Sequence, residues 1–248
     1  MTDEPKTRGQ LIRELLQLRR RLAQFETPEH PSHLALEKLR QEHEKLKVVF
    51  EESIRVMALT MEMRDPFTAG HQRRVANLAC AIAKQMDFSH GQAGVIRLAG
   101  EVHDIGKIHV PAEYLTKPGH LTTEELNIVR THPEVGYRVL KMIAFPWPIA
   151  EIVHQHHERM DGSGYPLGLA GEEIVLGARI VAVADVVEAM ASHRPYRPAV
   201  GIGQALEEVS QNKGILYDPE VVNACLKVFT DEHFDFHSAV IAKLPHTR

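Results

Sequence analysis

A single carboxylate inside an almost entirely apolar segment restricts what this chain can fold into. Residues 177–187 read GARIVAVADVV, and a helix or strand built from them is apolar on nearly every side and should be buried. Asp185 would be buried with it. An uncompensated buried carboxylate costs several kcal/mol or becomes protonated. The segment therefore requires a partner for Asp185, and a cation is the simplest candidate.

Six other potential metal ligands fall inside, or at the ends of, segments with an apolar helical pattern. They are His71, His103, Asp104, His132, His156 and His157. Any one of these histidines, taken singly, is better explained as a structural or surface residue than as a ligand. Their occurrence together with Asp185 predicts a catalytic metal centre. Gly106, just after the His103-Asp104 pair, has the position of a helix C-cap.

The composition and charge of the chain restrict the classes of protein to which it can belong. With 248 residues, of which 44% are hydrophobic and 25% charged, the chain is long enough for one globular domain plus an appendage. A net charge of −4 and the lack of a dense basic block argue against a nucleic acid polymer as partner. We expect no membrane contact and a soluble, cytoplasmic protein, because neither a signal-peptide core nor an 18-residue uncharged apolar stretch occurs.

Two amphipathic helices are predicted in a separate N-terminal segment, residues 1–54. Apolar residues spaced by four and three form a heptad seam from Leu11 to Phe25, and a second seam runs from Leu36 to Met57. Such helices form a hairpin or a short coiled coil. Two readings stay open, a homodimer contact and packing on the chain's own domain.

The main domain is placed at residues 55–230, with a tail at 231–248. Its patterns are helical throughout and strand signals are sparse, so the predicted fold class is all-α. One helix is predicted from Ile149 to Glu158 and carries the adjacent His156 and His157. Neighbours on a helix point about 100° apart, so both side chains reach one site only at a helix end or in a particular geometry.

The chain resembles the HD-GYP domain family over roughly residues 55–225. The motifs that carry the resemblance are His71, His103-Asp104-Ile105-Gly106-Lys107, Lys117-Pro118-Gly119, His132-Pro133-Glu134-Val135-Gly136, the run from His156 to Pro166 (HHERMDGSGYP), Asp185, and Arg194-Pro195-Tyr196-Arg197. They occur in this order, and the long run that ends in Gly-Tyr-Pro is highly specific.

HD-GYP domains are bacterial helical phosphohydrolases that open cyclic di-GMP to linear pGpG and often to GMP. The resemblance implies an HD-type helical bundle and a metal-dependent phosphodiesterase that uses a metal-bridging hydroxide. It implies one ion on His71, His103, Asp104 and Asp185, with Asp104 bridging to a second ion. That second ion would be held by His132, His156 and His157. Mixed imidazole and carboxylate ligands suit iron or manganese, and zinc or nickel stay open.

The resemblance also assigns roles outside the ligand set. His103, Asp104 and Lys107 would be catalytic. The expected substrate contacts are Lys107, Tyr165, Glu188, Arg194 and Arg197. Some family members hold a third metal with a glutamate where this chain has Phe67, so we expect two ions. Glu188 and His193 stand where the family commonly has aspartate.

Two alternatives to a cyclic di-GMP phosphodiesterase follow from the same residues. One is an HD-type phosphohydrolase that acts on another nucleotide, because metal ligands encode reaction type better than base identity. The other is a weakly active signalling module that binds a cyclic dinucleotide. The resemblance implies a diguanylate cyclase as a partner through the Gly-Tyr-Pro loop, and a sensor protein is a further expected partner.

Overall fold

The computed structural model describes residues 7–25, 31–64, 70–192, 201–231 and 234–236. The α-helices are α1 (Arg8–Phe25), α2 (Pro31–Glu62), α3 (His71–Gln85), α4 (His90–Val102), α5 (Ala112–Leu115), α6 (Thr123–Val129), α7 (His132–Leu140), α8 (Ile149–Gln155), α9 (Leu176–Ala191), α10 (Ile202–Gln211) and α11 (Pro219–Thr230). Short 3-10 helices span Ile105–His109 and Gly171–Glu173. Within the described ranges only isolated bridges and no strands occur, which confirms the all-α class.

The chain divides into two compact units, residues 1–53 and 54–248. In the first unit, the predicted amphipathic helices are present as α1 and most of α2. Seam residues Leu15 and Leu39 are 51% and 69% exposed. The pairing of these helices as a hairpin, a coiled coil or a dimer contact stays a prediction. None of the described helices combines the length and apolar character needed to cross a bilayer.

The core of the second unit is built around α9, as its apolar sequence predicts. Helices α3, α8, α10 and α11 all pack against α9, and α4 also contacts it. Side chains such as Ile180 and Val187 on α9 are completely buried, as are Leu78 and Ile82 on α3. Burial of one such side chain stabilises the fold by about 1.5–3 kcal/mol. This packing fixes the helix that carries Asp185.

The described part of the predicted tail also packs on the core. Phe234 and Phe236 form a ring cluster with Phe229 of α11, with ring centroids 5.4 and 6.0 Å from that of Phe229. The two cysteines are free thiols, and Cys225 is buried while Cys80 is partly buried.

Gly106 is required for close packing rather than for a helix cap. It lies within the 3-10 helix after α4 and is not among the glycines with positive φ, so the C-cap assignment is wrong. A Cβ atom on Gly106 would lie 1.9 Å from the carbonyl oxygen of His132 and 2.5 Å from the nitrogen of Gly136. The absence of a side chain therefore lets the segment after α4 approach the first turns of α7.

Replacing this glycine should destabilise the domain. Gly106→Ala is expected to lower the free energy of unfolding by about 2–3 kcal/mol, because the methyl group forces α7 away from the 3-10 helix. The matched control is Gly94→Ala in α4, where a Cβ atom meets nothing within 4 Å and the change should be neutral or slightly stabilising. Urea unfolding followed by circular dichroism measures both variants, and equal midpoints would contradict the packing argument.

Candidate metal centre

The seven predicted ligands come from five segments of the fold, and six of them lie at helix ends. His71 is the first residue of α3, His103 and Asp104 follow α4, His132 is the first residue of α7, His156 and His157 follow α8, and Asp185 lies within α9. Helix ends let a short stretch of chain turn side chains inward without breaking an apolar stripe. The polar centre thus sits where the helices of the core converge.

The adjacent His156 and His157 reach one site because α8 ends before them. His156 is the C-cap residue of α8, and the two imidazole rings lie with centroids 4.1 Å apart. Both rings also neighbour that of His132, at 5.3 and 5.0 Å. The structure therefore places the pair at a helix end, where neighbouring residues can share a ligand site.

The ligand atoms form two histidine-rich groups that share no residue, and a third group, which contains His103, Asp104 and His156, connects them. In one, nitrogen and oxygen atoms of His71, His103 and Asp185 all lie within 4.8 Å of one another. The other contains His132, His156 and His157 at the same spacing. In the first group, Nε2 of His71 is 3.1 Å from Oδ1 of Asp185. Each group is compact enough to hold one ion.

Asp104 lies between the two groups. Its Oδ2 is 3.5 Å from Nε2 of His103, and its Oδ1 is 3.3 Å from Nε2 of His132. The Lys107 ammonium is 2.6 Å from Oδ2. Although burial alone favours the protonated acid, Lys107 helps to hold the pKa of Asp104 well below its usual value. The carboxylate is therefore charged and has one oxygen directed at each group.

Backbone carbonyls fix the orientation of three of the histidines. The Nδ1 atoms of His103, His132 and His156 lie 2.8, 2.8 and 2.6 Å from the carbonyl oxygens of Gly100, Val129 and Val153. A carbonyl only accepts, so Nδ1 carries the hydrogen atom, and in a neutral ring Nε2 keeps a free lone pair. The Nε2 atoms of His132 and His156 then face each other at 3.3 Å. Two lone pairs at this distance repel, and a cation between them removes the repulsion.

Burial keeps these imidazoles in the form that binds metals. It lowers the pKa of His132 to about 4 and that of His157 to about 3, and it also lowers the pKa of His156. The rings are therefore neutral at pH 7. Neutral imidazoles beside charged carboxylates are a donor set for a divalent transition metal, and the residues present fit such an ion.

Glu188 lies beside the centre but does not face an open pocket. Its buried carboxylate contacts Nδ1 of His71 and accepts hydrogen bonds from Arg74 Nε at 2.6 Å and Ser192 Oγ at 2.5 Å. Burial alone would lower the pKa of His71, but hydrogen bonds with Asp185 and Glu188 raise it to about 9. The expectation that Glu188 contacts substrate does not fit this geometry. Glu188 instead orients His71, in the way that carboxylates commonly orient metal-binding histidines.

Of the other expected substrate contacts, the structure describes Lys107 and Tyr165. Lys107 is partly exposed at the edge of the centre. The Tyr165 ring stacks on His157, with centroids 4.7 Å apart, and the Arg130 guanidinium carbon lies 5.3 Å from the Tyr165 centroid. Tyr165 therefore packs on a candidate ligand. Arg194 and Arg197 lie outside the described residues, as do Phe67 and His193.

Glu158 anchors the glycine-rich loop that follows the two histidines. It is buried, and its carboxylate accepts backbone hydrogen bonds from Leu167 at 2.7 Å and Leu169 at 3.1 Å. A Cβ atom on Gly164 would lie 2.4 Å from the Cα atom of Glu158, so the loop folds tightly over this residue. Sequence reasoning assigned no role to Glu158. Its signal was a glutamate directly after two ligands and before a turn-rich segment.

The lowered histidine pKa values predict acid sensitivity of the metal-free protein. An unfolded chain binds protons on these histidines below about pH 6.5, whereas the folded protein does not until about pH 4 or below, so acid favours unfolding. Each of these histidines should lower the free energy of unfolding by up to about 1.4 kcal/mol per pH unit across this window. Urea titrations of chelator-treated protein measure the slope. His157→Gln should make it shallower, and His120→Gln, at an exposed position, should not; identical slopes in all three proteins would refute the assignment.

Loss of the Glu188 carboxylate should weaken metal binding. Glu188→Gln is expected to reduce affinity about 10- to 100-fold, because His71 loses the charged acceptor that fixes its ring. The control is Glu207→Gln on α10, whose exposed side chain contacts Gln211. Dialysis against buffered manganese followed by elemental analysis measures the affinity. Retention of full affinity in Glu188→Gln would show that His71 needs no such support.

Comparisons with known proteins agree with this architecture. The family model described as HD domain matches residues 55–221. The chain is similar to the cyclic di-GMP phosphodiesterase response regulator RpfG of Xanthomonas campestris pv. campestris, at 42% identity over 71% of this chain and 47% of the relative. It is also similar to the 3'3'-cGAMP-specific phosphodiesterase 3 of Vibrio cholerae, at 35% identity over 75% of this chain and 40% of the relative. The chain thus spans about half the length of the curated relatives it matches or less.

A solved structure supports the fold. The cyclic GMP-AMP specific phosphodiesterase V-cGAP3 of Vibrio cholerae superimposes with a TM-score of 0.59 at 18% identity, over 78% of this chain and 51% of that one. At this identity the likeness concerns the fold alone. The family model covers well over half of the chain and includes all seven candidate ligands. The resemblance to HD-GYP domains is thereby confirmed, and the chain belongs to the HD domain family.

Proposed function

We propose that this chain is a metal-dependent phosphodiesterase that opens cyclic di-GMP to linear pGpG, with GMP as a further product. The observation that carries the proposal is the position of Asp104, which directs one oxygen at each of two histidine groups. A shared carboxylate between two ligand sets would hold a pair of divalent ions close together, and paired ions are used in phosphoryl chemistry. The name of the Xanthomonas relative supports cyclic di-GMP as substrate.

The ligand assignment within this proposal follows the geometry of the two groups. One ion would be held by His71, His103, Asp104 and Asp185, and the other by Asp104, His132, His156 and His157. Mixed imidazole and carboxylate ligands suit iron or manganese, and zinc or nickel stay open. When bound, the pair of ions supplies an acidified water and stabilises charge on the phosphate oxygens.

The protein's own residues bind and orient the substrate around this centre. Lys107 pairs with Asp104 and is 19% exposed, so its ammonium lies where a phosphate oxygen would approach. That positive charge favours an anionic phosphodiester beside carboxylates that alone would repel it. The Tyr165 ring stacks on His157 at the edge of the centre, and Tyr165 is retained as a proposed substrate contact. Arg194 and Arg197 are retained as proposed substrate contacts on sequence alone.

A second candidate is hydrolysis of another cyclic dinucleotide. It is favoured by the similarity to a Vibrio relative named for 3'3'-cGAMP, and the metal ligands do not distinguish the bases. A weakly active binding module is the third reading, and the complete ligand set argues against it. Rates with cyclic di-GMP, 3'3'-cGAMP and cyclic di-AMP separate the three. Binding of a diguanylate cyclase or a sensor protein, and self-association through α1 and α2, stay predictions.

Removing the shared carboxylate tests the proposed centre directly. Asp104→Ala should reduce cyclic di-GMP hydrolysis to the rate of chelator-treated wild type, because neither ion keeps its common ligand. The control is Asp231→Ala, an exposed carboxylate at the end of α11, which should hydrolyse at the wild-type rate. Product chromatography measures both. Undiminished turnover by Asp104→Ala would rule out this centre as the site of reaction.

A further inference from the structure

A cavity of about 380 Å³ leads away from the candidate metal centre between α9 and α10. Its described lining consists of Asp185, Val186, Ala189 and Met190 on α9 and Glu208 on α10. The α9 residues are spaced as neighbours on one helix face. From Asp185 to Met190 the helix rises by about 7.5 Å. The cavity therefore includes a candidate metal ligand in its lining and borders about 7.5 Å of α9.

Apart from the candidate ligand Asp185, the lining combines an apolar wall on α9 with one carboxylate on α10. Val186, Ala189 and Met190 offer a surface on which a flat aromatic ring packs, and a methionine sulfur favours such contact. Glu208 is partly buried, and its Oε1 accepts a hydrogen bond from Asn212 Nδ2 at 2.9 Å. Asn212 lies one turn further along the chain and limits the movement of the carboxylate. A carboxylate held in this way is an acceptor with lone pairs to spare.

A third ion does not explain Glu208. Among the described residues, the groups of ligand atoms close enough to share an ion include Asp185 but not Glu208. A phosphate does not suit this wall either, because the Glu208 charge would repel it. The occupant that fits is a group with an aromatic face and hydrogen-bond donors along one edge.

We propose that this cavity receives one base of the dinucleotide substrate and that Glu208 selects guanine. This inference rests on the proposed function and extends it to the choice of base. With the phosphodiester at the metal centre, the attached nucleoside lies along α9 and the edge of its base faces Glu208. The base ring packs on Val186, Ala189 and Met190.

The selectivity follows from the donors and acceptors on the two purines. The Watson–Crick edge of guanine presents two adjacent donors, N1–H and the N2 amino group, and a carboxylate accepts from both. Adenine presents an acceptor at N1 beside its N6 amino group, so a carboxylate oxygen would face a lone pair. A bidentate contact of this kind discriminates by about 1–3 kcal/mol, which corresponds to roughly 5- to 150-fold.

The test uses the full chain with Glu208→Gln, and Glu207→Gln as the matched control on the exposed side of α10. A glutamine amide can donate to adenine N1 and accept from its N6 amino group. Glu208→Gln should therefore lower the ratio of kcat/KM for cyclic di-GMP over cyclic di-AMP by about 10-fold or more. The loss for cyclic di-GMP should exceed any change for bis(p-nitrophenyl) phosphate, which has a phosphodiester but no purine. Glu207→Gln should keep the wild-type ratio.

Equilibrium binding separates failure of this inference from failure of the proposed function. Wild type should bind 5'-GMP about 10-fold more tightly than 5'-AMP by calorimetry, and Glu208→Gln should lose this preference. That binding result would support the base pocket even without catalysis. If wild type hydrolyses no cyclic dinucleotide, only the proposed function is overturned. Equal binding of the two nucleotides by wild type, or an unchanged preference in Glu208→Gln, overturns the assignment of Glu208.

Discussion

The close approach of unprotonated imidazole nitrogens in a buried centre is the constraint on which the rest of the second unit depends. Nε2 of His132 and Nε2 of His156 lie 3.3 Å apart, while their Nδ1 hydrogens are committed to backbone carbonyls. A fold tolerates this repulsion only where other packing holds both rings in place. The apolar core around α9 supplies that packing, and Gly106 brings the segment after α4 against α7.

The charges around the centre are arranged so that few of them are left without a partner. Lys107 offsets Asp104, and the Arg74 guanidinium offsets Glu188, which in turn contacts His71. Buried charges are affordable when they are paired in this way, and leaving one partner alone is costly. The same pairs set the orientation of the ligand atoms. Stability and the geometry for binding an ion are therefore supplied by the same contacts.

Much of the centre could be predicted from the sequence, because the free-energy cost of burying its polar residues is visible in the sequence pattern. A carboxylate in the apolar run of α9 demands a partner, and the ends of predicted helices mark where histidines can turn inward. The structure brings Asp185 and the six other predicted ligands into one cluster. The all-α class followed from helical periodicity for the same reason.

Sequence patterns do not predict the roles of Glu188, Gly106 and Glu208, since each role depends on a contact between distant segments. Glu188 lies three residues after Asp185, and spacing alone does not say whether its side chain faces a pocket or a neighbouring helix. Gly106 follows a helix as a cap would, but the atom that excludes a side chain is the His132 carbonyl oxygen. Glu208 lines the same cavity as Asp185 only because α10 packs on α9.

The distribution of donors over five segments has a consequence for biogenesis. A nascent or partly folded chain contains every imidazole but no site, since the segments are joined only by the completed tertiary structure. High-affinity uptake of an ion is then coupled to maturation of the domain, and the occupied form gains stability from the binding free energy. Metal supply in the cell would set the lifetime of the protein as well as its chemistry.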